Sequence, residues 1–182
     1  MRKIENTASG VRFADIPQLP RAHYEIDVGW DYLEDQIARW SRDWSLDLDP
    51  DFQRTHVWTR EQQRAYVEYV LMGGEVAKSL TFNCPGWDDR GPTVGAMTLV
   101  DGKQRLEAVR AFLRDDLPAF RHIRSEYDCL RSTIAGFKFR VCSLSRAEVL
   151  RLYLNINAGG TPHTTDEIER VRKMLWAEAG RS

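Results

Sequence analysis

The 182-residue sequence predicts an α+β fold, a small mixed sheet flanked by helices. Three observations lead there. Two helical patterns come before any strand-like run, and the strands then arrive as a close pair and one later run. Two further helical patterns close the chain. Helices, strands, a strand and helices again lack the regular alternation of a doubly wound parallel sheet. With 42% hydrophobic and 29% charged residues, a chain of this length can bury a core without metal or disulfide staples.

Residues 1–28 contain Pro17 and Pro20 and show no sustained period, which predicts an extended N-terminal leader, with residues 29–182 forming one domain. From Trp30 the pattern turns helical. Leu33, Ile37, Trp40 and Trp44 follow helical spacing, while Glu34, Asp35, Arg39 and Arg42 fall on the other face. After the turn-prone Asp47 to Asp51, Thr59 and Gln62 have capping-box spacing and predict a helix to about Met72, ended by Gly73-Gly74. Ser79 to Cys84 and Thr93 to Val100 read as strands around a polar surface loop. The second strand runs into Asp101-Gly102, after which Leu106, Val109, Ala111, Phe112 and Leu113 supply helical apolar positions. Phe137, Phe139 and Val141 alternate with Lys138 and Arg140, a strand with one buried face. Ser145 and Glu148 repeat the capping box before a helix to about Asn155, and Gly159-Gly160 breaks the chain again. The last helix begins near Thr164 and turns Ile168, Val171 and Leu175 inward.

Several classes of function are disfavoured. A formal net charge of -1 gives no overall field for nonspecific DNA binding, leaving only a local basic face to serve that purpose. Cys84, Cys129 and Cys142 are odd in number, far apart and without a Cys-x-x-Cys pair, so they read as reduced, buried thiols of a cytoplasmic protein. No apolar run is long enough to span a bilayer. His23, His56, His122 and His163 lack metal-ligand spacing, so the expected metal is Mg²⁺ arriving with a nucleotide, with Asp101 the first residue to touch it. Trp30, Trp40, Trp44 and Trp58 read as core rather than as base-stacking platforms.

The chemistry concentrates at Asp101-Gly102-Lys103-Gln104-Arg105. A glycine between strand and helix lets the backbone approach a ligand closely, and the first turn of a helix offers N–H groups and partial positive charge to an anion. Lys103 and Arg105 add cations where the macrodipole disfavours them, a conflict that a bound phosphate relieves. On these five residues alone the plainer reading is a turn in which Asp101 caps the helix and the two cations face solvent. A second segment, Phe52-Gln53-Arg54 with Val57-Trp58, admits two readings as well. Either Phe52 and Trp58 anchor a loop whose Gln53 and Arg54 are exposed, or Gln53 and Arg54 converge on the same pocket, Arg54 offering a fork of donors to phosphate.

Taken with Leu154-Asn155-Ile156-Asn157-Ala158-Gly159-Gly160-Thr161, these runs resemble, in order and spacing over roughly residues 25 to 175, the N-terminal domain of GmrSD-type restriction systems. The resemblance implies a ParB/sulfiredoxin-like fold, in which a Gly-x-x-Arg turn holds nucleotide phosphates; Gly102 and Arg105 match that turn. Lys103 stands where that family has glutamine, which bears on hydrolysis more than on binding. Asn155 and Asn157 match the family's second polar cluster, or else only cap a helix and form a turn.

The function implied is a nucleoside-triphosphate-binding domain acting as a slow Mg²⁺-dependent phosphohydrolase. Gly102, Lys103, Arg105, Arg54, Asn155 and Asn157 bind the nucleotide, Asp101 holds Mg²⁺ or water, and Gln104 or Gln53 orients the attacking water. Two alternatives stand beside it: a DNA-binding or nuclease-associated module working with an effector protein, and a catalytically inactive interaction protein.

Overall fold

The alternation in Gly136–Cys142 builds the strand around which the sheet assembles. In the computed structural model, which describes residues 24–53, 58–87, 96–157 and 165–180, this segment is strand β4. Phe137, Phe139 and Val141 are buried and Lys138 and Arg140 exposed, as a two-residue period requires. Before it come β1 (Tyr24–Gly29), α1 (Leu33–Trp44), α2 (Arg60–Leu71), β2 (Ser79–Asn83), β3 (Thr98–Asp101) and α3 (Lys103–Leu113). After it come α4 (Arg146–Asn157) and α5 (Thr165–Ala179). The sheet is mixed, in the order β1-β4-β2-β3: β4 runs antiparallel to β1 and parallel to β2, and β2 runs antiparallel to β3. The predicted α+β class with a small mixed sheet is therefore present.

One boundary needs correction. Tyr24 to Val28, assigned from the sequence to the leader, belong to β1, paired with β4 from Tyr24↔Val141 to Gly29↔Gly136. Only Val28 of β1 is buried, so the segment shows little hydrophobic pattern of its own. Its charges meet partners more than a hundred positions away, Glu25 with Arg140 at 2.7 Å and Asp27 with Lys138 at 3.4 Å, and such cross-strand pairs leave no local signature. Residues 1–23 lie outside the described residues.

The two edges of the sheet differ. Along β3 the segment after α1 adds a short parallel bridge, Asp47 N–H donating to the Met97 carbonyl (2.7 Å) and Leu99 N–H to the Asp47 carbonyl (2.9 Å). At the other edge β1 is the terminal strand among the described residues.

Two clusters of buried residues form the interior. The larger lies between one face of the sheet (Val28, Leu80, Phe82, Leu99, Phe137, Phe139, Val141) and helices α1, α2 and α3. Trp30 and Trp40 belong to it, with Trp44 and Trp58 packed against it, which matches the expectation that these tryptophans are core. The smaller cluster joins Val100, Phe52, Val149, Leu150, Tyr153 and Val171, packing α4 and α5 behind β3. Both capping boxes form: Gln62 N–H donates to Thr59 Oγ1 and Thr59 N–H to Gln62 Oε1, and Ser145 N–H donates to Glu148 Oε2. The three cysteines are free thiols, but of the three expected to be buried only Cys84 is; Cys142 is half-buried and Cys129, in the loop between α3 and β4, is exposed. Among the described residues no helix is long and apolar enough to cross a membrane.

Candidate functional site

The strand-to-helix junction forms where it was expected, with β3 ending at Asp101 and α3 starting at Lys103. Gly102 between them has φ +104°, a left-handed conformation that other residues seldom adopt. Its position is also crowded: a Cβ there would stand 2.3 Å from Leu80 Cδ2. Gly102 therefore serves both the turn and the packing of α3 onto β2. It is the N-cap of α3, its carbonyl accepting from Leu106 N–H at 2.9 Å, and as a glycine it supplies no side-chain cap. No carboxylate occurs in the first turn, the usual place for one.

The plainer reading of the motif does not hold. Asp101 does not cap α3; its Oδ2 accepts from Arg105 Nη2 in an ion pair. Neither cation points into solvent, since the side chains of Lys103 and Arg105 are 15% and 14% exposed. Arg105 also donates from Nη1 to the Ala77 carbonyl at 3.1 Å, ahead of β2. The same carbonyl accepts from the Tyr66 hydroxyl of α2 at 3.0 Å, and burial raises the Tyr66 pKa, against the opposing pull of the Arg105 charge. Lys103 turns to the other side of the turn and pairs with Asp49. There it lines a groove of about 450 Å³ between α2 and α3, with Arg60, Gln63, Glu107, Arg114 and Asp116. Two shielded cations thus flank the first turn, Lys103 paired with Asp49 and Arg105 with Asp101.

The second segment meets the first through amides. Gln53 donates from Nε2 to the Leu99 carbonyl, two residues before Asp101. Gln104 accepts from the Trp58 N–H at 2.9 Å. Gln53 is therefore tied to β3 and Trp58 to the first turn of α3, while residues 54–57 between them lie outside the described residues. Arg54 lies outside the described residues. Asn155 is exposed on α4; Asn157 ends that helix, and its side chain lies outside the described set, as do Gly159, Gly160 and Thr161.

Sequence reasoning missed Asp49, Tyr66 and the Ala77 carbonyl. Asp49 carried only a turn signal, Tyr66 sat in a helical run, and no sequence signal marks a main-chain carbonyl. Among the described residues no three His, Cys, Asp or Glu side chains come together as metal ligands. With Asp101 engaged by Arg105, the described residues do not build a resident Mg²⁺ site.

No family model and no curated protein matches the sequence. Among solved structures the chain is similar to the C-terminally truncated chromosome-partitioning protein ParB from Caulobacter crescentus, complexed with CTP-gamma-S. The identity is 15% and the TM-score 0.41, over 87% of this chain and 66% of that one, just under two thirds of its length.

Proposed function

We propose that the first turn of α3 binds the phosphate groups of a nucleoside triphosphate, and that the activity at this site is binding rather than turnover. One observation carries the reading: a helix start with a left-handed glycine as its N-cap and no first-turn carboxylate, flanked by two largely buried cations. A phosphate placed there meets the helix N–H groups and positive end, and replaces Asp49 and Asp101 as the counterion of Lys103 and Arg105. The resemblance of Gly102 and Arg105 to a Gly-x-x-Arg phosphate turn supports the same conclusion.

Hydrolysis has less support. The two amides expected to orient water are engaged elsewhere, Gln53 donating to the Leu99 carbonyl and Gln104 accepting from the Trp58 N–H. A Mg²⁺ ion fits as one carried by the phosphates, since this divalent ion keeps several waters and needs few protein carboxylates. A DNA-engaging role finds no special support on the open face of β1 and β4, where Lys138 and Arg140 are opposed by Asp27 and Glu25. The restriction context and an effector partner rest on the resemblance alone.

Calorimetric titration with ATP, GTP, CTP and UTP, with Mg²⁺ and with chelator, tests the proposal. Wild type binds at least one of them; Arg105→Ala and Lys103→Gln each weaken binding roughly tenfold, the worth of a charge-assisted hydrogen bond. Phosphate release stays at background. Absence of binding to all four nucleotides would refute the reading, and steady turnover would overturn its second half.

A further inference from the structure

One main-chain oxygen is shared between the first turn of α3 and helix α2. The Ala77 carbonyl, just ahead of β2, accepts from Arg105 Nη1 at 3.1 Å and from the Tyr66 hydroxyl at 3.0 Å, so both of its lone pairs are taken. Ala77 itself has φ +60°, a left-handed conformation that residues bearing Cβ seldom adopt and that persists where the surroundings determine it. Immediately after it the Lys78 carbonyl accepts from Lys138 N–H at 3.0 Å, tying the segment to β4. Tyr66 is buried, and the burial that raises its pKa keeps the hydroxyl protonated and donating.

We infer that Tyr66 is a positioning residue for the phosphate site: without touching the ligand, it fixes through the Ala77 carbonyl the direction in which the Arg105 guanidinium faces the first turn of α3. The inference rests on the function proposed above and adds to it the group that aims the arginine. Arg105 has two acceptors of different kinds. Asp101 is an anion, which a bound phosphate displaces as counterion, whereas the Ala77 carbonyl is neutral and can keep Nη1 while the rest of the fork turns to phosphate. A neutral acceptor orients the cation without neutralising it. Fixing that acceptor in advance reduces the ordering that binding must impose on a long side chain. Tyr69 separates this role from plain support of the turn. Three residues along α2, its hydroxyl accepts from Val76 N–H at 3.0 Å, holding the same segment through a group that Arg105 does not share.

The experiment uses the full chain as wild type, Tyr66→Phe, Tyr69→Phe, Arg105→Ala and the double variant Tyr66→Phe with Arg105→Ala. Phenylalanine keeps each ring in place. Affinity for ATP, GTP, CTP and UTP with Mg²⁺ is measured by calorimetry, stability as the urea midpoint, and solvent exchange of the Arg105 guanidinium protons by NMR without ligand, their signals identified by their absence from Arg105→Ala. Expected in Tyr66→Phe are a loss of affinity of roughly fivefold, the worth of one neutral hydrogen bond, and faster guanidinium exchange. Tyr69→Phe should lower the urea midpoint by a similar amount yet keep wild-type affinity and exchange. In the double variant the tyrosine change should cost no affinity beyond that of Arg105→Ala. Wild-type affinity in Tyr66→Phe would overturn the inference, as would equal losses in Tyr66→Phe and Tyr69→Phe or a further fivefold loss in the double variant. If wild type binds none of the four nucleotides, the phosphate site falls; faster guanidinium exchange in Tyr66→Phe alone would still establish the hold of Tyr66 on Arg105, and unchanged exchange would remove that too.

Discussion

At Gly102 a single residue carries both a backbone requirement and a packing requirement, and the two can be separated by substitution. An alanine there must adopt φ near +104° and also place its methyl 2.3 Å from Leu80 Cδ2. The left-handed conformation alone costs about 1–2 kcal/mol in a residue bearing Cβ. Gly73 supplies the control, because it has φ +93° and an added Cβ there would meet nothing within 4 Å. In urea unfolding, Gly73→Ala should lose only that conformational amount, whereas Gly102→Ala should lose more, the excess measuring how tightly α3 approaches β2. Equal losses would mean that Leu80 yields without cost. At this scale the sequence is informative where a residue's own chemistry is at issue. Gly102 is legible at the turn and Arg105 at the helix start. The partners of those residues are not, because Asp49 and the Ala77 carbonyl come from segments whose proximity depends on the completed fold.

Helices announce themselves through periodicity and caps, since both act within a few residues. Thr59 with Gln62 and Ser145 with Glu148 mark the starts of α2 and α4, and Leu33, Ile37 and Trp40 mark the buried face of α1. Strand β4 is legible from alternation for the same reason, whereas β1 is not, being stabilised by its charges across to Lys138 and Arg140. The connection from α3 to β4 contains a tight turn that breaks the usual preferences. Phe120 and Arg121 have φ of 47° and 70°, between Ala119 and His122, which exchange two backbone hydrogen bonds of 2.9 Å. Two-residue hairpin turns with both central residues at positive φ favour Asn-Gly. The double substitution Phe120→Asn with Arg121→Gly should therefore raise stability by about 1–2 kcal/mol, read as a higher urea midpoint at unchanged slope. A lower midpoint would show that Phe120, 44% exposed, contributes more through packing than its backbone loses. Glu68 accepts from the Phe120 N–H at 2.7 Å and keeps this turn against α2 in either form.

Across the whole molecule the interior is unequal. The larger cluster takes in three helices and all four strands, whereas the smaller one holds α4 and α5 behind β3 with, among the described residues, six buried side chains. Subglobal opening should start where the fewest apolar contacts must be given up. Native-state hydrogen exchange should accordingly release the amides of α4 and α5 at lower free energy than those of β2 and β4; simultaneous release would show a single cooperative unit.

The sheet has a further consequence, which concerns growth. Among the described residues the bridge at Asp47 gives β3 a neighbour, while β1 ends the hydrogen-bonded array on the opposite flank. An array that can be lengthened from one flank only is a chain with a single valence. Two such arrays joined flank to flank around a two-fold axis would consume both valences and stop at a pair, whereas arrays with two usable flanks can add units without limit.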